Sequence, residues 1–200
     1  MTKLTDKRII ALVGMSGAGK STVCKCFENS GYTIIDCDKV SREVVEVGSS
    51  SLTELSSELA ADVICPDGTL NRQRTAELIF NNADKRAIFN RIIYPYITYN
   101  VICKIRSAKT DILLDAPTLF DARLEGLCDD IVSVCADRQI CIDRIVKRDG
   151  IDEKLASARL SSQYDISWYQ ERSDHCIINN GTQDELLSAA AVIISELKGN

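Results

Sequence analysis

Several things that would mark a particular protein class are scarce or missing. There is one histidine, and there are only three prolines and ten glycines in 200 residues, so no histidine-rich metal site, Pro/Gly-rich linker or fibrous repeat can be built. No apolar stretch approaches the roughly 18 residues of a membrane-spanning helix, so no membrane partner is expected. No basic run occurs either. Lys+Arg 24 against Asp+Glu 29 leaves a net charge of −5, which excludes a general polyanion binder and predicts no nucleic-acid partner. Any phosphate the chain handles must then be met by a few placed cations. Cysteine is plentiful, at nine, but the number is odd and no Cys-x-x-Cys pair occurs, so reduced thiols in a cytoplasm are expected rather than zinc ligands or a disulfide framework. Lys3, Lys7 and Arg8 before the apolar residues 9–15 faintly imitate a secretory leader, but the run breaks into Gly17-Ala18-Gly19-Lys20 without a cleavage site. A cytoplasmic location is therefore expected.

What is present is a globular composition, 45% hydrophobic and 26% charged, with enough apolar side chain for a sizeable core. Short Ile- and Val-rich runs recur at 8–13, 33–35, 112–114, 131–135 and 176–178, the length of buried strands. Helical spacing fills the intervals, and that alternation predicts an α/β fold with a five-stranded parallel sheet flanked by helices. About seventy-five residues separate the second run from the third, which calls for an inserted subdomain. The spacing predicts helices there over 50–60, 71–80, 83–94 and 95–107, with a turn at Pro66-Asp67-Gly68 and Pro95 starting the last of them. Residues 1–48 and 109–200 would form a core with a lid at about 138–172, and 49–108 a helical insertion that binds substrate. A final helix is announced by Thr182-x-x-Glu185, a capping box.

The strongest local signal is Gly14-Met15-Ser16-Gly17-Ala18-Gly19-Lys20-Ser21, followed by Thr22. It fits Gly-x-x-x-x-Gly-Lys-[Ser/Thr], follows a predicted strand and opens a predicted helix, the setting of a P-loop nucleotide site. Glycines let successive N–H groups and the positive helix end converge on a phosphate, Lys20 would reach the β/γ oxygens of ATP, and Ser21 would ligate Mg²⁺. Asp115, after the apolar residues 112–114, is a second candidate Mg²⁺ carboxylate; it equally suits the cap of a turn at Pro117. No Asn-Lys-x-Asp guanine reader occurs, so a nucleotide-dependent kinase is favoured over a GTPase. Asp36-Cys37-Asp38 ends the second strand at the carboxyl edge, where open α/β sheets bind ligands. Asp38 can orient a hydroxyl and take its proton, or it can serve as the N-cap of a helix from Lys39.

These motifs, together with Ser41-Arg42-Glu43-Val44-Val45, Asp67-Gly68-Thr69-Leu70 with Arg72, Ile79-Phe80, Asp115-Ala116-Pro117, Arg144, Arg148-Asp149-Gly150, Gln163 and Ile178-Asn179-Asn180-Gly181, run in order along the chain. The whole set resembles the dephospho-coenzyme A kinase family. The resemblance implies transfer of the ATP γ-phosphoryl group to the ribose 3′-hydroxyl of dephospho-CoA, the last step of coenzyme A synthesis. It implies Asp38 as the base, with Lys20 and Arg148 catalytic, Arg148 being a lid arginine that closes on the phosphates. ATP would lie against residues 15–22, Arg148, Asn180 and Gly181. The acceptor would meet Asp38, Arg42, Arg72 and Tyr94, and Mg²⁺ would meet Ser21 and Asp115. A monomer is expected. Read without the family, Arg42 and Arg72 are equally solvated helix charges, and Arg148 equally complements a helix C-terminus.

The chain departs from the family in having Tyr94 where a histidine usually precedes the proline, Thr118 and Asp121 within Pro117–Asp121, and Met15-Ser16 in place of Gly-Ile. A tyrosine can hydrogen-bond but cannot become cationic at neutral pH. Two alternatives stand beside the family reading: a related P-loop kinase acting on another hydroxyl or phosphate acceptor, and a nucleotide-dependent switch.

Overall fold

In the computed structural model, residues 4–80 and 82–199 are described. In chain order the elements are β1 (Ile9–Gly14), α1 (Lys20–Asn29), β2 (Thr33–Asp36), α2 (Cys37–Glu43), α3 (Ser50–Glu58), α4 (Arg72–Phe80), α5 (Ala83–Ser107), β3 (Ile112–Asp115), β4 (Asp130–Cys135), α6 (Arg138–Asp149), α7 (Glu153–Ser161), α8 (Ile166–Arg172), β5 (His175–Ile178) and α9 (Gln183–Gly199). They divide into two compact units: Met1–Ile35 with Ala108–Asn200, and Asp36–Ser107.

The first unit carries the sheet, in the order β2-β3-β1-β4-β5. β1 sits in the middle, parallel to both neighbours, with Ile9 opposite Ile112 and Ile10 opposite Asp130. All six of its residues are buried. That is why 9–13 reads as an unbroken apolar run rather than an alternating one: a strand covered on both faces has no side for a polar residue. Each of its large side chains removed from water contributes about 1.5–3 kcal/mol. β4 and β5 also pair in parallel, Ser133 opposite Cys176. On α9, Leu186, Ala190, Ile193, Ile194 and Leu197 form a buried stripe at helical spacing, and α9 packs on α1. The capping box is realised: the Thr182 N–H donates to Glu185 Oε2 at 2.7 Å and the Glu185 N–H to Thr182 Oγ1 at 3.3 Å.

The second unit is helical, with α2, α3 and α4 packed on α5. Where Pro95 suggests two helices, there is one of 25 residues. Proline deletes one N–H and crowds the carbonyl four residues back, which normally ends a helix. Here Ile93, Ile97, Val101 and Ile105, four residues apart and all buried, continue one face straight through Pro95, and the proline itself is on the exposed side. The burial of that stripe outweighs the lost bond. α3 is capped by Ser49, whose Oγ accepts from the Leu52 N–H at 3.4 Å, and Ser51 Oγ donates to the Val44 carbonyl. Among the described residues no helix is long and apolar enough to cross a membrane.

Candidate active site

β1 ends in Gly14, the loop 15–19 follows, and α1 begins at Lys20. Gly14 has φ 130°, a conformation that side chains rarely adopt, and a Cβ there would lie 2.0 Å from the Val134 carbonyl oxygen. The loop is therefore pressed directly on β4, and the Met15 N–H donates to that same carbonyl at 3.1 Å. Gly19, with φ 108°, opens α1 and supplies no side chain as a cap. A helix start of this kind has its first N–H groups and its positive end to offer to an anion. Lys20 Nζ donates to the carbonyls of Gly14 at 2.7 Å and Met15 at 3.1 Å, so the ammonium is held across the loop rather than trailing in solvent. Ser21 and Thr22 follow in the first turn of α1, with Ser21 exposed.

Three side chains from distant positions brace this loop. Asn179, directly after β5, is only 6% exposed, and its Nδ2 donates to the Ala18 carbonyl at 2.7 Å. The Gln163 Oε1 accepts from the Ser16 N–H at 2.9 Å while its Nε2 donates to Ser16 Oγ at 3.2 Å. Arg144, on α6, donates to the Asn179 carbonyl at 3.1 Å and reaches the carbonyls of Gly17 and Gly181 at 3.5 Å. Beneath the loop, burial pushes the Cys141 thiol up from its ordinary pKa, which keeps it a neutral neighbour of the loop.

The remaining candidates of this unit fall as follows. Asp115 is the half-buried last residue of β3 and lies opposite Leu12 of β1, close in register to the strand end from which the loop departs. Asn180 is exposed, and its Oδ1 accepts from the Asp137 N–H at 2.8 Å, joining the carboxyl ends of β4 and β5. With Gly181 it borders a cavity of about 470 Å³ that also includes Ile177, Glu185 and Ala189. Arg148 lies in the last turn of α6 and forks onto Asp149, with Nε to Oδ1 at 2.7 Å and Nη2 to Oδ2 at 2.9 Å; Arg159 of α7 meets the same carboxylate at 2.7 Å. The hydrogen bond from Arg148, then its charge and that of Arg159, hold the Asp149 carboxyl below the usual range. The α6 arginine that touches the loop is thus Arg144, one turn before Arg148.

Asp38, Arg42, Arg72 and Tyr94 all belong to the helical unit. Asp38 does not cap α2. The cap is Asp36, whose Oδ1 accepts from the Lys39 N–H at 2.8 Å, because the helix begins at Cys37 and places Asp38 in its first turn, exposed. Arg42 is exposed in the last turn of α2, Arg72 is exposed as the first residue of α4, and Tyr94 is half-buried in α5.

Asn179, Gln163 and Arg144 carry weight that local reading does not assign to them. Asn179 had a signal: with period two, 177 and 179 share the buried face of β5 while 178 and 180 are exposed, so an asparagine there needs a polar partner inside. Gln163, quoted above only within the family resemblance, had no local signal for this role, since its partner is 147 residues away.

Comparison with known proteins agrees with this architecture. The family model described as CoaE, dephospho-CoA kinase, matches residues 8–185. A dephospho-CoA kinase of Syntrophotalea carbinolica is 31% identical over 199 residues, 96% of this chain and 94% of that protein. One from rice, Oryza sativa subsp. japonica, is 30% identical over 183 residues, 89% of this chain and 79% of that protein. Among solved structures, TT1252 from Thermus thermophilus superposes with a TM-score of 0.84 at 23% identity, covering 96% of this chain and 99% of that one. Dephospho-CoA kinase from Campylobacter jejuni gives 0.73 at 22%, covering 97% and 99%. The two solved structures establish the shared fold; the family match over 8–185 and the 31% relative establish descent, and this chain belongs to the dephospho-CoA kinase family.

Proposed function

We propose that this chain transfers the γ-phosphoryl group of ATP to the ribose 3′-hydroxyl of dephospho-CoA. The acceptor follows from the family match, and one observation carries the ATP half: a glycine-shaped loop between a central buried strand and an uncapped helix start, with the Lys20 ammonium held across it. Backbone N–H groups of the loop and of the first turn of α1 would bind the β-phosphate, and Lys20 would bridge the β and γ oxygens. The hydroxyl of Ser21 and the carboxylate of Asp115 are hard oxygen donors, the kind Mg²⁺ takes together with phosphate oxygens and water. Bound there, the ion supplies neutralisation of the triphosphate charge.

In the transfer, the 3′-oxygen forms a bond to the γ-phosphorus as the bond to the ADP oxygen breaks, and the hydroxyl proton passes to Asp38. Asp36 caps α2, so capping does not compete with this role of Asp38. Arg42 and Arg72 offer cations to the acceptor pyrophosphate, and Tyr94 a hydroxyl. Arg148, the lid arginine, would leave Asp149 and close its guanidinium on the γ-phosphate, while Asn180 and Gly181 border the nucleoside. The enzyme would act as a cytoplasmic monomer.

The test is competition among dephospho-CoA, adenosine and AMP as acceptors, with each product identified by mass. Dephospho-CoA should be phosphorylated on its 3′-hydroxyl with a kcat/KM far above the other two, and truncation should lower kcat as well, because remote binding energy orients the reacting hydroxyl. Equal or better use of AMP, or no product from dephospho-CoA, refutes the acceptor assignment and leaves a kinase of another acceptor.

A further inference from the structure

Gln163 sits where two rigid pieces meet. Its own N–H donates to the Leu160 carbonyl at 3.0 Å, closing the end of α7. The next residue, Tyr164, stacks on Trp168 with ring centroids 3.6 Å apart and planes 5° from parallel, and Phe120 meets the same indole edge-on at 4.8 Å. Asp165 then caps α8, accepting from the Trp168 N–H at 2.8 Å. On the far side, Arg138 at the start of α6 donates to the Ser157 carbonyl and to Ser161 Oγ, tying α6 to α7. The segment α6–α8 is thus internally braced, and the backbone of Gln163 is fixed before its side chain touches anything. That side chain ends on Ser16, accepting from its N–H at 2.9 Å and donating to its hydroxyl at 3.2 Å.

The contact is not sealed in a core. Met15, Gln163, Tyr164 and Gln170 line an open cavity of about 670 Å³, and Gln163 is only half-buried. A bidentate amide at the rim of a cavity, spent on one loop residue, does something definite to the loop. It occupies the Ser16 N–H, so an incoming phosphate must be met by the loop N–H groups that follow and not by this one. It is also neutral, whereas the acidic analogue would satisfy the same two Ser16 groups equally well. A carboxylate beside a triphosphate would repel it.

We propose that Gln163 is a positioning residue for phosphoryl transfer: its carboxamide clips the crest of the phosphate loop through the N–H and the hydroxyl of Ser16, sets which loop N–H groups face the triphosphate, and locks the α6–α8 segment to the loop. The inference rests on the ATP-binding half of the function proposed above and goes beyond it. A serine hydroxyl at position 16 gives the amide a second grip, which an aliphatic residue there would not provide.

The experiment is titration of the whole chain with ATP by calorimetry, alongside thermal unfolding and steady-state kinetics. Gln163→Ala should raise the ATP Kd about tenfold, the scale of losing a pair of hydrogen bonds, and lower kcat, while the KM for the acceptor moves less. Ser16→Ala removes only the hydroxyl grip and should raise Kd about threefold, with no further rise when added to Gln163→Ala. Gln163→Glu separates positioning from mere support. It can keep both contacts to Ser16, so its thermal midpoint should match the parent, yet its ATP Kd should exceed that of Gln163→Ala, more so at low salt. Parent-like ATP binding by Gln163→Ala, or by Gln163→Glu, overturns the proposal, and if Gln163→Ala fails to fold the other two variants decide. Because binding needs no acceptor, a parent chain that binds ATP yet leaves dephospho-CoA unphosphorylated refutes the acceptor assignment alone, while one that does not bind ATP overturns both.

Discussion

Replacing Asn179 by alanine tests how the phosphate loop is held from below. The Nδ2 of this residue donates to the Ala18 carbonyl at 2.7 Å, and both residues are buried. Truncation leaves that carbonyl without its amide partner and empties the space beside Gly19 and Leu186, which any atom added to Gly19 would otherwise share with Asn179. An unsatisfied buried acceptor costs about 1–3 kcal/mol. For a chain of this size each kcal/mol lowers the thermal midpoint by about 2–4 °C, so a cost near the middle of that range predicts a fall of roughly 4–8 °C. Asn179→Asp preserves the shape but sets a carboxylate oxygen against the Ala18 oxygen, two acceptors face to face, and should cost more than alanine. Both variants should also bind ATP more weakly, since the loop N–H groups depend on where Ala18 is held. Thermal unfolding at fixed pH and salt, with ATP titration well below the midpoint, reads both effects. An Asn179→Asp midpoint at or above the parent's, or an Asn179→Ala midpoint within about 1 °C of it, would refute the argument.

Lys20→Ala should lower kcat by about 10²-fold or more while leaving the thermal midpoint near the parent's, because the loop is shaped by its glycines and by the Met15–Val134 bond; near-normal turnover would remove the lysine from catalysis. Asp38→Asn should lower kcat by about 10²-fold or more with the midpoint unchanged, since Asp36 is the helix cap; unchanged kcat would sink the base assignment. Arg148→Ala and Arg148→Lys should both lower kcat, lysine lacking the planar fork, and parent-like turnover would reduce Arg148 to a partner of Asp149. That pair has a pH signature. The folded Asp149 carboxyl is depressed, so its stabilisation of the α6–α7 junction is present above the ordinary carboxylate pKa of about 4 and is lost as pH falls through the lower folded value. Hydrogen exchange in 148–160 should accelerate on that acid side in the parent and be pH-flat there, beyond intrinsic rates, in Asp149→Asn.

The five strands and the glycine-rich loop were largely legible because each rests on local rules: an apolar run buried on two faces, then Gly14 at the point where a Cβ would strike β4. The helix start at Cys37 was harder, since Asp36 and Asp38 are both good caps and only a two-residue shift of register separates them. Pro95 misled because the local rule for proline is real but smaller than the continuous buried face of α5. Gln163 and Arg144 were illegible as braces for a different reason. Their partners lie 147 and 127 residues away, and no spacing encodes a contact of that range.

The placement of β1 between β3 and β4 bears on when, during synthesis, the protein becomes able to act. The glycine-rich loop, residues 14–22, is translated well before Val134, Gln163 and Asn179, on which its shape depends. None of these exists while the early chain leaves the ribosome. At about 5–20 residues per second, the last of them follows the loop by roughly ten to thirty seconds. Throughout that interval the nascent chain holds the loop sequence without the loop geometry. Copies that stop short of β5 should therefore bind ATP weakly, with competence following only once β5 docks and the loop is gripped.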